Sequence, residues 1–324
     1  MPRDLMAGHG EITLGFNAYC WGGPYQDALL GRRVLPLFQR LGADCGLRRV
    51  WYDRATLRGP HILGLATVPS DREERARDLI HEALTQALHE QPSRETLTAR
   101  ELETFHFDAG GKALCDADLD EGMAANNSFT IFVHHGAETR YPFFLWKCEE
   151  DGPFWRTSAS LAMFTLRQFA AKKPGVQVNN MALAALLAFN ETFFSDSEEA
   201  RQYWTFHIGT LIPNLDVSRL DSRHVQGLLS KTMSPESLAL IREWHGGHPE
   251  KDLGSDYAEL KECFRQLHFL LGALAGRSRS AARELLHVLL KQLGISTLRQ
   301  IPMIFSLLSL SYETREPAGH LRDK

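Results

Sequence analysis

The sequence predicts an α+β protein: an antiparallel sheet with flanking helices in the N-terminal half, and a helical C-terminal half. Three observations lead there. Short runs of strand formers alternate with amphipathic helical stretches before residue 90. A Gly59-Pro60 turn joins two of those runs. After about Trp155 the apolar spacing is helical throughout.

Residues 12–19, ITLGFNAY, are rich in strand formers and stop at the breaker Gly22-Gly23-Pro24. Residues 27–41 space Leu29, Leu30, Val34, Leu37 and Leu41 as one helical face, with Pro36 expected to kink the helix or delay its start. LRRVWYD (47–53) and HILGLATV (61–68) read as two strands around the turn. From Ser70 the text becomes helical: Ser70 and Glu73 form a capping-box pattern, and Leu79, Ile80, Ala83, Leu84 and Leu88 share a face. Residues 10–90 therefore read β-α-β-β-α, with the helices on one side of an antiparallel sheet. Further strands are expected at 102–107 and 128–135, separated by a polar Gly- and Asp-rich loop over 108–127.

Helices are then expected at 158–172, 179–193, 197–209, 234–244, 256–275, 278–293 and 299–311. The clearest stripe is Leu260, Cys263, Phe264, Leu267, Leu271 and Leu274, with Gly276 as its stop. Core packing accounts for most of Trp146, Trp155, Tyr203, Trp204 and Phe206. The halves divide as 1–154 and 155–324 and are expected to pack as one unit, with a frayed tail over 316–324.

A net charge of −4 over 324 residues provides no global basic field, so nucleic acid is not an expected partner. The apolar runs fall short of the ~20 residues that span a bilayer, and the N-terminus has no secretion signal. Five scattered cysteines, none spaced C-x-x-C, fit a reducing cytoplasm rather than a disulfide framework or a thiolate zinc site. The pairs His245/His248 and His134/His135 lack a carboxylate at a ligand offset, so no metal and no cofactor is expected. Dinucleotide, P-loop and nucleophile-elbow motifs are missing from the text.

Chemistry concentrates in WYDRATLRGPH, residues 51–61. Arg54 and Arg58 offer planar cations for carboxylates or polarised amides, and His61 can move a proton near neutral pH. A solvated hairpin with a capping histidine accounts for the same residues. HHGAETRYP at 134–142 adds Glu138 and Arg140, which share a face if the strand continues, and Tyr141 as a weak acid. Arginines over 31–54 form a local basic cluster that suits an acidic peptide or, equally, a solvated helix face.

The run Trp51, Tyr52, Arg54, Gly59, Pro60, His61, Ile62 resembles the lantibiotic dehydratase C-terminal family, also called the thiopeptide-type bacteriocin biosynthesis domain. The order acidic residue, arginine, tyrosine at Glu138, Arg140 and Tyr141 echoes a second family element. The resemblance implies tailoring of a ribosomally made precursor peptide with a leader, alongside partner dehydratase and glutamylation enzymes. One branch eliminates glutamate to leave dehydroalanine or dehydrobutyrine; another, the stand-alone pyridine synthases, joins two dehydroalanines by a formal aza-[4+2] cyclisation.

Leu63 and Leu65 stand where the elimination branch has arginines, and Ser309 stands where it has a histidine. Those departures weaken the elimination reading and leave cyclisation with leader loss ahead. A non-catalytic precursor-binding member remains a third reading. The implied catalytic groups are Arg54, His61 and Tyr141; Tyr52, Arg58, Glu138, Arg140 and Ser309 are the implied substrate contacts.

Overall fold

The computed structural model describes residues 10–56, 58–98, 100–101, 123–134, 152–171, 175–212, 215–232, 239, 243, 255–272 and 278–313. In chain order its elements are β1 (Glu11–Tyr19), α1 (Gly23–Leu29), α2 (Leu35–Cys45), β2 (Arg49–Ala55), β3 (His61–Pro69), α3 (Glu73–Glu90), β4 (Ser128–Val133) and α4 (Gly152–Ala170). There follow α5 (Gly175–Phe193), α6 (Ser197–Leu211), α7 (Ser222–Thr232), α8 (Ser255–Gly272), α9 (Ser278–Gln292) and α10 (Thr297–Glu313). The chain divides into two units, Met1–Gly175 with His287–Gly294, and Val176–Leu286 with Ile295–Lys324.

In the first unit the strands lie in the order β2-β3-β1-β4, every neighbour antiparallel. A β-α-β-β-α-β chain in that order is the split-βαβ, ferredoxin-like arrangement. Strand alternation sends Leu14, Phe16, Ala18, Val50, Tyr52, Ile62, Ala66 and Val68 to one face, where they pack with Leu30, Val34, Phe38, Leu41, Leu79, Ile80 and Leu84 of the helices. The helices lie on that one side, as the sequence pattern predicts. The opposite face carries Trp51, Asp53, His61, Leu63, Leu65 and Thr67, all buried.

Pro36 neither breaks nor delays its helix. A π-helical turn over Leu30–Val34 joins α1 to α2, closed by the Leu35 amide on the Leu30 carbonyl. The wider turn lets a residue with no amide hydrogen follow without interrupting the rod. Gly31 in that turn lies against α4: a Cβ there would sit 2.5 Å from the Phe169 carbonyl carbon.

The capping box expected at Ser70 does not form. Ser70–Arg72 make a 3-10 turn, α3 starts at Glu73, and its N-cap position, Arg72, has no side-chain cap bond. The two acidic residues of the first turn, Glu73 and Glu74, still complement the helix dipole.

In the second unit α10 packs on α6 and α7. Trp204 is fully buried and its indole donates to Asn190 Oδ1 at 2.7 Å. Phe206, two residues on, is 63% exposed, an exception to the core packing expected of most of these aromatics. Helix α7 was not expected from the sequence; among its described side chains, Val225 and Leu229 are the buried ones. The strand expected at 102–107 lies outside the described residues, as do Trp146, most of 234–244 and the histidine pair at 245–248. Among the described residues no helix is long and apolar enough to cross a membrane.

Candidate functional site

The Arg-Gly-Pro-His turn is held from three sides. Its own closure is the Gly59 amide on the Thr56 carbonyl at 3.0 Å, with Arg58 at φ 62° and Gly59 at φ 118°. Both angles are positive, which suits glycine and strains most other residues. A Cβ on Gly59 would lie 2.9 Å from Trp21 Nε1, so the indole is laid directly against the turn. The Ala124 amide donates to the Arg58 carbonyl at 2.8 Å.

A second corner buttresses Trp21. Asn126 Oδ1 accepts from the Trp21 amide at 3.0 Å, and Ser93 Oγ donates to the Trp21 carbonyl. Asn127, at φ 60°, accepts from the Ser93 amide at 2.6 Å and donates its own amide to Tyr19 O at 2.7 Å. The Asn126-Asn127 pair thus ties the start of β4 to the ends of β1 and α3. Nothing in its sequence beyond a turn-prone Asn-Asn signals this.

His61 is 1% exposed. Its Nδ1 lies 2.8 Å from the Gly59 carbonyl oxygen, which can only accept, so Nδ1 carries the hydrogen and Nε2 keeps its lone pair. Nε2 is buried and has no hydrogen-bond partner. Burial pushes the imidazole down to about 4, overriding the Gly59 bond and the nearby Asp53 charge, which act the other way. At neutral pH it is an uncharged ring with an unused acceptor, tilted at 43° against the Tyr19 ring with the centroids 4.7 Å apart.

Asp53 shares this face. It stands opposite Leu63 in the ladder, two residues along from His61. Its Oδ2 receives Lys291 Nζ at 2.6 Å, while Oδ1 is buried without a partner. The Asp53 side chain is 2% exposed and that of Lys291 26%. Trp51, two residues before Asp53 on the same face, has a buried indole N–H that is likewise unpartnered. One donor and two acceptors therefore stand unsatisfied side by side on β2 and β3, beside an anchored ammonium. Such groups are costly to bury without use.

Arg54 and Tyr52 point the other way, which corrects the expectation that Arg54 and His61 converge on one site. Arg54 opposes Ile62 and His61 opposes Ala55, so strand alternation places them on opposite faces. The Arg54 guanidinium donates to Asp27 Oδ1 at 2.6 Å, to Gln26 Oε1 at 3.3 Å and, through Nε, to the Gln292 carbonyl at 2.9 Å. It also lies 4.9 Å from the Phe169 ring centroid. It is a helix C-terminal cap for α9 and a clamp on α1.

Tyr52 is fully buried, its hydroxyl 2.6 Å from Thr165 Oγ1, and burial raises its pKa above the ordinary phenol value. Gln292 Nε2 donates to the Tyr52 carbonyl at 2.7 Å. That bond covers the outer edge of β2, where another strand could otherwise pair.

Arg58 is half-buried in the turn. Ser309 is buried on α10, in the second unit. Tyr141, Glu138 and Arg140 lie outside the described residues. The arginines of 31–54 are largely paired: Arg33 with Glu90, Arg40 with Glu82 at 3.4 Å, and Arg49 with Glu11 at 3.8 Å. No cluster of metal-binding side chains occurs among the described residues. Asp53 and Lys291 went unnoticed in the sequence. Asp53 was legible as the single acid in the strand VWYD; Lys291, 238 residues away, was not.

No family model and no curated protein matches this sequence. Solved structures do. The pyridine synthase TbtD, from thiomuracin biosynthesis, aligns over 93% of this chain and 97% of its own, with a TM-score of 0.64 and 14% identity. The tRNA-dependent lantibiotic dehydratase MibB from Microbispora sp. 107891 aligns over 95% of this chain and 28% of its own, with a TM-score of 0.48 and 13% identity. Over the aligned 93% the chain is similar in fold to TbtD, in line with the resemblance at residues 51–62.

Proposed function

We propose that this protein is a tailoring enzyme of a ribosomally synthesised peptide pathway, and that it performs a formal aza-[4+2] cyclisation on a precursor carrying two dehydroalanines. The observation that carries this reading is the fold correspondence with a pyridine synthase over 93% of the chain. The turn that holds a neutral, acceptor-ready His61 supports it.

The reaction asks for an amide to pass to its iminol form, becoming a 2-aza-diene, while a second dehydroalanine lies against it. Positioning alone can supply roughly 7–11 kcal/mol of the barrier in favourable cases. His61 Nε2 is the acceptor for the amide hydrogen, a role that needs a lone pair and no charge. Loss of water and of the leader peptide then aromatises the ring. The precursor peptide, with its leader, is the partner; Arg58 and the 134–142 stretch with Glu138, Arg140 and Tyr141 remain the candidate substrate contacts, and Tyr141 a candidate proton donor. Arg54 and Tyr52 act in this reading as scaffold.

Two incubations test it. With a didehydrated precursor, the reading expects a mass loss equal to water plus the leader fragment. With a glutamylated precursor it expects no glutamate release. Release of glutamate in the second tube, with no change in the first, makes the protein an elimination lyase. Peptide binding without mass change in either makes it a non-catalytic carrier, a reading that Leu63, Leu65 and Ser309 also fit.

A further inference from the structure

We propose that Lys291 is a catalytic residue of the cyclisation, its ammonium polarising the carbonyl oxygen of the reacting amide, and that Asp53 is the residue that positions it. The inference rests on the reading above and adds two residues to it. Its basis is the grouping on one sheet face. Lys291 Nζ sits 2.6 Å from a carboxylate that is almost wholly buried. The head group keeps about a quarter of its side chain exposed, so it is the member of the cluster that an incoming peptide meets first.

The remaining partners are chemically complementary. An amide that turns into its iminol gains a proton on oxygen and loses one from nitrogen. Lys291 Nζ has hydrogens to give, and only one direction is taken up by Asp53. His61 Nε2 has a lone pair and no donor. In the balanced step the oxygen takes a proton from Nζ as the nitrogen's proton passes to Nε2; when the ring loses water, the His61 imidazolium gives its proton to the departing hydroxyl and the neutral Lys291 amine takes the proton that the ring loses. Asp53 lies close enough for its charge, and that of Lys291, to act on the His61 ring.

Lys291 is the cation that reaches Asp53 on this face; Arg49, farther along the same face opposite Thr67, is paired with Glu11. Leu63 opposes Asp53 directly and Leu65 follows on the same side, both buried and apolar. Arg54 is spent on the other face. A lysine carried by residues 287–294, which belong to the same unit as the sheet, is what brings positive charge to Asp53. Arginine in its place retains charge and donors but not the compact head.

The test uses the full chain and a didehydrated precursor with its leader. Lys291→Met removes the donor; because it leaves Asp53 unpaired, the double variant D53N/K291M is measured beside it to keep a neutral, folded pair. Turnover is expected to fall at least 100-fold in both with KM within threefold, and K291R to recover to within tenfold of wild type. D53N alone should lower kcat and spare KM, a split that loss of structure would not produce. Turnover of the double variant within threefold of wild type overturns the inference and leaves the cyclase reading standing. If wild type converts nothing, the reading fails by itself, and a second measurement decides Lys291. On reductively 13C-methylated protein, the resonance missing from K291R should move when the didehydrated peptide is added. A shift keeps Lys291 as a substrate contact; no shift removes it.

Discussion

Arg54 and His61 leave the sheet on opposite faces: in the β2–β3 ladder Arg54 stands against Ile62, and His61 stands against Ala55. The turn between them is one short stretch of sequence, yet it serves two sides of the molecule. One side is scaffold, with Arg54 binding α1 and the end of α9. The other side holds His61, Asp53 and Lys291.

Arg54 is therefore expected to report on stability. Arg54→Ala removes charge-assisted bonds to Asp27 and to the Gln292 carbonyl and should cost about 2–3 kcal/mol. Arg54→Lys keeps the Asp27 pair but cannot also cap α9, so it should fall between the two. Urea unfolding at constant m-value measures both. A loss below about 0.5 kcal/mol for the alanine variant would contradict the clamp.

His61 makes folding sensitive to acid. Burial lowers its folded pKa to about 4 from the ordinary 6.5, so between those values the unfolded chain binds more protons than the folded one. The contribution is whole above pH 6.5 and is lost as pH falls towards 4, on the order of 3 kcal/mol in all. His61→Gln should flatten this part of the stability–pH curve relative to wild type between pH 7 and pH 4.5. Parallel curves for the two proteins would remove the buried neutral imidazole from the account.

Gly59 combines a left-handed backbone with the Trp21 indole at its α-carbon. Gly59→Ala should destabilise by roughly 2–3 kcal/mol, the sum of strain at that φ and displacement of the indole. Trp21 fluorescence should change with it. An alanine variant with wild-type Tm and emission would show that the turn is not buttressed as described.

Much of the fold was legible because it follows local periodicity. Leu29, Leu30, Val34, Leu37 and Leu41 are all buried, as their helical spacing requires, and the two strands about Gly59-Pro60 pair as their alternation requires. The facing of Arg54 and His61 was not legible. It depends on the parity of the loop joining the strands, and a one-residue change of register flips every side chain. Lys291 was hidden for a different reason: its partner lies 238 residues earlier, and no local pattern records such a pairing. The capping box at Ser70 failed because a tight 3-10 turn moved the helix start three residues on. Helix α7 escaped notice because Gly227 and a mostly polar surface leave it two buried apolar residues among its described side chains.

The most direct test of the central claim is the single-turnover rate of His61→Gln on a didehydrated precursor at pH 7.5, beside wild type. Glutamine can still donate to the Gly59 carbonyl but brings no basic nitrogen to the other side of the ring. The account predicts a rate at least 100-fold lower, within the range of a lost acid–base group, at an unchanged Tm. A variant that forms the ring as fast as wild type would contradict it.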